Sequence, residues 1–259
     1  MYKIEDIINT IILGDSLKVL LLIPDESIDL VFTDIPYNIG SESKLSFVKQ
    51  KNGRIISTEE AWGNDFKDNF TDKEYLNFIE FLNNQFYRIL KKEGSVILFF
   101  DRNKPFYLFP FYNKFIIRNM ITFIKRDPPP HVRKNNYRSG YEQCAWFSKS
   151  EKYIFNFRDQ KDMKNYYIGT IGGSKKTTHP TEKFDWMLKP IILNHSIENK
   201  SIILDPFSGS GSISIYSKIL KRNYIGIEIN KEFYEMSKKR LNSVKVRNEI
   251  IKNMQLEMF

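Results

Sequence analysis

The most constraining feature of this 259-residue sequence is a short aliphatic run that breaks into a glycine turn and then resumes as a helix. Ser201 to Leu204 leads into Asp205-Pro206-Phe207-Ser208-Gly209-Ser210-Gly211, and Ile213 to Leu220 follows at helical spacing. An apolar run bounded by turn residues reads as a buried parallel strand. Glycines let the backbone approach a ligand, and the helix N-terminus that follows favours an anionic group. A second strand, Tyr224 to Ile227, ends at Glu228, 19 residues after Gly209, and Lys231 to Leu241 reads as a helix. An acidic residue at that position can accept both hydroxyls of a ribose, so the turn implies a nucleoside-containing ligand. Ser214 stands where a dinucleotide fingerprint has its third glycine, which argues against NAD.

A second apolar run, Ser27 to Val31, leads into Thr33-Asp34-Ile35-Pro36-Tyr37. The carboxylate and a projecting backbone carbonyl can accept the two hydrogens of an amine, and the tyrosine ring can stack on a planar base. Either turn, taken alone, is also compatible with a purely structural role. Thr71 and Glu74 form a capping box ahead of a helix marked by Tyr75, Phe78, Ile79, Leu82, Phe86, Ile89 and Leu90. Gly94 is expected to end that helix, with Ser95 to Phe100 as the next strand and Ile121 to Lys125 as another. Alternating strands and helices imply an α/β fold, with a mostly parallel sheet and helices on both faces. The stretches 40–67, 134–140 and 160–178 have no clear period and read as loops.

Composition narrows the partners. Forty Lys and Arg against 31 Asp and Glu give a net charge of +9, which suits a polyanion. A lone cysteine, Cys144, excludes an internal disulfide and a cysteine-based zinc site, and a cytoplasmic setting is expected. It reads as a small core residue and not as the nucleophile that cytosine C5-methylation needs. His131, His179 and His195 lack metal-ligand company; His131 and His195 read as surface or loop residues. Residues 1–10 lack the layout of a signal peptide, and no apolar run is long enough to span a membrane.

Together the two turns resemble those of the amino-DNA-methyltransferase family, with its Asp-Pro-Pro-Tyr-type catalytic motif and Phe-x-Gly-x-Gly cofactor motif. Their order here, catalytic before cofactor, is the permuted order of the family's β group. Gly14-Asp15-Ser16-Leu17 resembles the stretch whose acidic residue meets the cofactor's adenine. His179-Pro180-Thr181-Glu182-Lys183 resembles the segment that meets its methionine end. Lys125 to Pro130 with Tyr141 to Trp146 resembles the region beside the target base, and Trp62-Gly63-Asn64-Asp65-Phe66 the mobile loop after the catalytic motif. Ile35 and Phe184 each stand where the family has proline.

The resemblance implies a Rossmann-like, S-adenosylmethionine-dependent methyltransferase fold spanning 1–259 as one catalytic domain. A mobile loop at about 40–67 and a short DNA-recognition segment at about 126–178 would be embedded in it. The implied catalytic residues are Asp34, Ile35, Pro36 and Tyr37. The implied cofactor residues are Asp15, Thr181, Lys183, Asp205, Phe207, Gly209, Gly211 and Glu228. Arg133, Lys134, Arg138, Lys175 and Lys176 are expected to face DNA. The expected reaction is methylation of adenine N6 in DNA, with cytosine N4 as the alternative and an inactive DNA-binding module as the rival from another class. A restriction endonuclease acting separately on the same site would be a fitting partner, and either a monomer or a homodimer fits.

Overall fold

The computed structural model describes residues 1–38, 48–49, 55–56, 70–130, 135–171 and 183–244. In chain order the elements are α1 (Ile4–Ile7), β1 (Thr10–Leu13), α2 (Ser16–Leu20), β2 (Ile28–Asp34), β3 (Val48–Lys49), β4 (Ile55–Ile56), α3 (Asp72–Ile89), β5 (Leu90–Phe99), a 3-10 turn (Pro105–Leu108), α4 (Phe109–Tyr112), β6 (Ile116–Lys125), β7 (Tyr141–Ser148), β8 (Tyr166–Gly169), α5 (Asp185–His195), β9 (Ile202–Asp205), α6 (Ser212–Ile219), β10 (Asn223–Glu228) and α7 (Lys231–Ser243). Eight strands form one sheet in the order β1-β10-β9-β2-β5-β7-β6-β8, while β3 and β4 pair with each other. Pairing from β1 through β5 is parallel, and β7 runs against both β5 and β6. The C-terminal ends of β1, β10, β9, β2, β5, β6 and β8 therefore share one edge with the start of β7.

Alternation along the strands explains the layers. Val31 of β2 and Val96 and Leu98 of β5 point to one face, under Tyr75, Ile79, Leu82 and Phe86 of α3. Leu30, Phe32, Ile97 and Phe99 point to the other, under Met187, Leu188, Ile191 and Ile192 of α5. The capping box expected at α3 is formed: the Thr71 side chain accepts from the Glu74 N–H, and the Glu74 carboxylate accepts from the Thr71 N–H at 2.8 Å.

Three expectations need correction. The helix α3 stops at Ile89 without a glycine, and Leu90 is already extended. Gly94 lies inside β5, where the register with β2 shifts. A Cβ there would come 2.9 Å from the Lys91 carbonyl and 3.1 Å from that of Asp29, so the glycine serves a close backbone approach. The stretch 160–178 is not all loop, because Tyr166–Gly169 adds a parallel edge strand beside β6, with Tyr167 stacked on Phe123 at 5.7 Å. His195 is buried at the end of α5, against the Trp146 ring at 4.4 Å and beside Phe155. Cys144 is buried in β7, as its residue type predicts.

Candidate active site

The chain leaves β9 towards β10 through α6, and leaves β2 towards β5 through α3. The sheet order thus reverses between the neighbours β9 and β2, and such reversals open a crevice at the strands' C-terminal ends. Both motif turns stand there, and Thr33 at the end of β2 donates to Asp205 Oδ1 at the end of β9 across 2.8 Å. Burial pushes the Asp205 carboxyl up to about 7, against the hydrogen bonds from Thr33 and the Phe207 N–H.

On the β9 side the site is mainly backbone. Gly209 and Gly211 both have positive φ, 52° and 78°, which ordinary side chains disfavour. Gly211 caps α6, and a Cβ on it would approach Ser237 Cβ to 2.8 Å. Glu228, buried at the end of β10, accepts from the N–H of Gly209 at 2.6 Å and of Asn230 at 2.8 Å. Burial pushes its carboxyl up, while these N–H groups pull it back. The Gly14 N–H donates to the Glu228 carbonyl, and the Ser16 hydroxyl to the Pro206 carbonyl, which draws the turn after β1 into the same groove. Asp15, next to Gly14 in that turn, caps α2 by accepting from the Leu17 N–H at 2.9 Å. Phe207 packs against Phe78 of α3. Asp15, Asp205, Phe207, Gly209, Gly211 and Glu228 are therefore brought to three adjacent strand ends.

On the β2 side the site is made of charged side chains. Asp34 closes β2; its Oδ1 accepts from the Tyr37 hydroxyl at 2.5 Å and its Oδ2 is 2.9 Å from Lys183 Nζ. Lys183 also binds Glu142 of β7 at 2.6 Å, and Glu142 binds Lys125 of β6 at 2.7 Å. Burial would raise the Glu142 carboxyl, yet Lys183 and Lys125 bring it down to about 2. Burial alone would lower the Lys183 ammonium; Asp34 and Glu142 outweigh it and hold the group above its ordinary value. Burial, then the Asp34 charge, pushes the Tyr37 hydroxyl well above its usual value. Pro36's carbonyl accepts from the Tyr75 hydroxyl of α3.

Several contributors were not singled out from sequence. Tyr75 read as a core position, yet its hydroxyl also pins the Asp34–Tyr37 turn through the Pro36 carbonyl. Asn38, with φ of 52° and next to Tyr37, pairs both ways with the Phe70 backbone, at 2.8 and 3.0 Å. Glu142 carried a signal: a carboxylate just ahead of the apolar run Cys144-Ala145-Trp146-Phe147 demands a partner where it is buried.

Of the cations expected on DNA, Arg138 lies on the loop between β6 and β7, at the same edge as Asp34. Its guanidinium donates to the Pro128 and Pro129 carbonyls. The neighbouring Tyr137 is 94% exposed. Arg133, Lys134, Lys175, Lys176 and Thr181 lie outside the described residues, as do His131, His179 and the 62–66 stretch. No group of three or more metal-ligating side chains occurs among the described residues, and no described helix is long and apolar enough to cross a membrane.

Comparison with known proteins now places this geometry. The family model for DNA methylases of the N6 and N4 type matches residues 28–239. The Type II methyltransferase M.HinfI of Haemophilus influenzae is 30% identical, over 99% of this chain and 74% of its own length. The Type II methyltransferase M2.MboI of Moraxella bovis is 33% identical, over 85% of this chain and 82% of its own. Among solved structures, M1.HpyAVI in complex with SAM superposes with a TM-score of 0.64 at 21% identity, covering 90% of this chain and 99% of its own. The PvuII DNA methyltransferase, described as cytosine-N4-specific, gives 0.66 at 18% identity, covering 96% of this chain and 91% of its own.

Proposed function

We propose, from the premise that this chain belongs to the N6/N4 DNA methylase family, that it transfers a methyl group from S-adenosylmethionine to adenine N6 in DNA. The observation that carries the reading is the Asp34 carboxylate beside the Tyr37 ring, at the strand end that adjoins the glycine turn across the β9–β2 crevice. Asp34, where serine would favour cytosine, supports adenine as the base.

The residues present fit the cofactor. Gly209 and Gly211 carry the turn through positive φ at the strand end, and Glu228 at the next strand end offers a carboxylate to a ribose diol. Asp15, Asp205 and Phe207 stand at the ends of neighbouring strands, which supports the same reading. When bound, the cofactor supplies a methyl group on a sulfonium, which needs no further activation.

The chain's own task is positioning. A base inside a duplex hides its amine, so the target nucleotide is flipped out, at a cost of about a few kcal/mol. Stacking on the Tyr37 ring offsets part of that, by roughly 1–3 kcal/mol. Asp34 accepts one amine hydrogen. The second goes to the Ile35 carbonyl, since Tyr75 already engages that of Pro36. Both bonds aim the nitrogen lone pair at the methyl carbon. Transfer would leave the amine nitrogen cationic and the cofactor as its neutral thioether, and the Asp34 carboxylate would favour that positive charge more than the neutral amine. Asp34 is also placed to receive the surplus amine proton. The segment 126–178 and the net positive charge would hold the phosphates. A restriction endonuclease acting on the same site is the partner that fits an enzyme of this type.

The test is single-turnover transfer of labelled methyl to DNA of mixed sequence, with the product hydrolysed to nucleosides. Label in N6-methyladenine is expected. Label in N4-methylcytosine overturns the base assignment, and no label in DNA overturns the function.

A further inference from the structure

We propose that Lys183 is a positioning residue of the methyl-transfer step: clamped by Glu142, its ammonium fixes the Asp34 carboxylate in the place where it accepts the target amine. This rests on the reaction proposed above. It moves Lys183 from the cofactor's methionine end to the amine acceptor.

The geometry leaves Lys183 little else to do. An ammonium has three N–H donors. One meets Asp34 Oδ2 at 2.9 Å and one meets Glu142 Oε2 at 2.6 Å. The Phe99 ring lies on a further side, its centroid 4.3 Å from Nζ. The side chain is only 11% exposed, so a cofactor carboxylate could bind it only by displacing one of these partners. The four charges also balance. Asp34 on β2 and Glu142 on β7 face Lys183, just ahead of α5, and Lys125 on β6, in a site where an uncompensated ion is costly. Lys125 fixes the other oxygen of Glu142, so Glu142 is held from both sides and can act as the fixed end of the clamp.

The consequence is mechanical and electrostatic. With Oδ2 tied to Lys183 and Oδ1 to the Tyr37 hydroxyl, the carboxylate plane is set before any substrate arrives. The opposing ammonium also keeps the carboxylate an acceptor in a neighbourhood that is otherwise acidic. Facing Asp34 are Lys183 at the approach to α5, Glu142 and Cys144 on β7, Tyr37 on its own turn, and Asp205 on β9. Without Lys183 the carboxylate would face Glu142 and Asp205 with no cation among the described residues touching it.

The full-length protein with Lys183→Met, with Lys183→Arg, and with Lys183→Met combined with Glu142→Gln provides the test. S-adenosylmethionine affinity is read by calorimetry, which also reports that each variant is folded. Single-turnover methyl transfer into DNA is read across pH. Lys183→Met is expected to bind the cofactor within about twofold of wild type, to transfer at least tenfold more slowly at neutral pH, and to show an acid limb moved upward by about one pH unit. Lys183→Arg should keep the limb in place. The double variant, which removes one charge of each sign, should bring the limb back toward wild type. Loss of cofactor affinity by tenfold or more in Lys183→Met, with an unmoved limb, would return Lys183 to the cofactor site and overturn the proposal. So would wild-type transfer rates in that variant. Should Lys183→Met not fold, Glu142→Gln replaces it: a slowed rate with intact cofactor affinity is expected, and an unchanged rate overturns the clamp. The wild-type product base is read separately, so methylated cytosine would change the reaction's target without touching this inference.

Discussion

On the β9 side of the crevice the polar groups are largely backbone: two positive-φ glycines, a helix cap, and a Glu228 carboxylate held by two N–H groups. On the β2 side, one strand away, they are four ionised side chains and a tyrosine hydroxyl. A groove built from backbone is fixed by the chain's path, and it fails when a residue cannot adopt that path. A cluster built from charges is fixed by mutual compensation, and it fails when one partner is removed. The cofactor side should therefore lose affinity on substitution, and the acceptor side should lose rate.

The largest expected effect lies on the acceptor side. Asp34→Ala removes the acceptor that strengthens as the nitrogen gains charge, and should lower single-turnover transfer by about 10³-fold or more. Cofactor affinity should hold, because Asp34 lies outside the glycine groove and Glu142 still partners Lys183. Calorimetry beside the transfer assay decides it: near-wild-type transfer would dissolve the contrast. Tyr37→Ala should impair capture of the flipped base, and Tyr37→Phe, which keeps the stacking ring but releases Asp34 Oδ1 while Lys183 still holds Oδ2, should cost less.

The opposite signature is expected across the crevice. Glu228→Ala should weaken S-adenosylmethionine by about 1–3 kcal/mol, as a buried hydrogen-bonded carboxylate is lost. The rate at saturating cofactor should change far less. Gly211→Ala adds strain at φ of 78° and a 2.8 Å approach to Ser237 Cβ, so both affinity and thermal stability should fall. Unchanged affinity in both variants would remove the backbone groove from the cofactor's path.

These two sides were not equally readable. The glycine turn, Glu228, Asp34 and Tyr37 follow from residue types at fixed offsets, because a positive-φ turn and a strand-end carboxylate leave local marks. The charge cluster leaves little beyond the carboxylate of Glu142 ahead of an apolar run. Asp34, Lys125, Glu142 and Lys183 are scattered over about 150 positions, and their meeting depends on the strand order β2-β5-β7-β6, which periodicity does not give. The same lack of local signal explains Gly94. As a stop after a helical run it looks ordinary, while its real role appears only when β5 shifts register against β2. The edge strand β8 is four residues long, within a polar surrounding, and its pairing partner lies about 40 residues earlier. His195 had no visible partner in sequence because its neighbours, Trp146 and Phe155, come from other parts of the chain.

His195 extends the contrast, since it is a titratable group with no charge to compensate it. Burial brings its imidazole down to about 3, and its Nδ1 is buried without a hydrogen-bond partner. The unfolded chain titrates near 6.5, so on acidification the unfolded state takes up this proton first. The contribution is therefore complete above about pH 6.5 and is lost as pH falls toward 3. Between pH 7 and 5 the loss should be about 2 kcal/mol. His195→Leu should remove that part of the pH dependence, whatever its own packing cost, because the comparison is between two pH values in one variant. Denaturant unfolding at both values reads it, and an identical pH dependence in the two proteins would show that the imidazole titrates in the folded state as it does in the unfolded chain.

The smallest expected effect concerns Arg138, at the same sheet edge but away from both halves of the crevice. Its guanidinium is exposed and touches the Pro128 and Pro129 carbonyls. Two roles are compatible with that position. If it meets a phosphate, Arg138→Ala should reduce the salt dependence of DNA binding by about one unit of slope, and Arg138→Lys should preserve it, because counterion release follows charge. If it instead fixes the proline loop, lysine cannot copy the paired carbonyl contacts, and both variants should weaken binding with the slope unchanged. The expected result is the first, since the loop follows β6 and precedes β7 at the edge where Asp34 ends β2. Transfer at saturating DNA should stay near wild type in either variant, because neither reaches the acceptor or the glycine groove. A titration of DNA affinity against salt, run on the two variants beside the wild type, separates these outcomes.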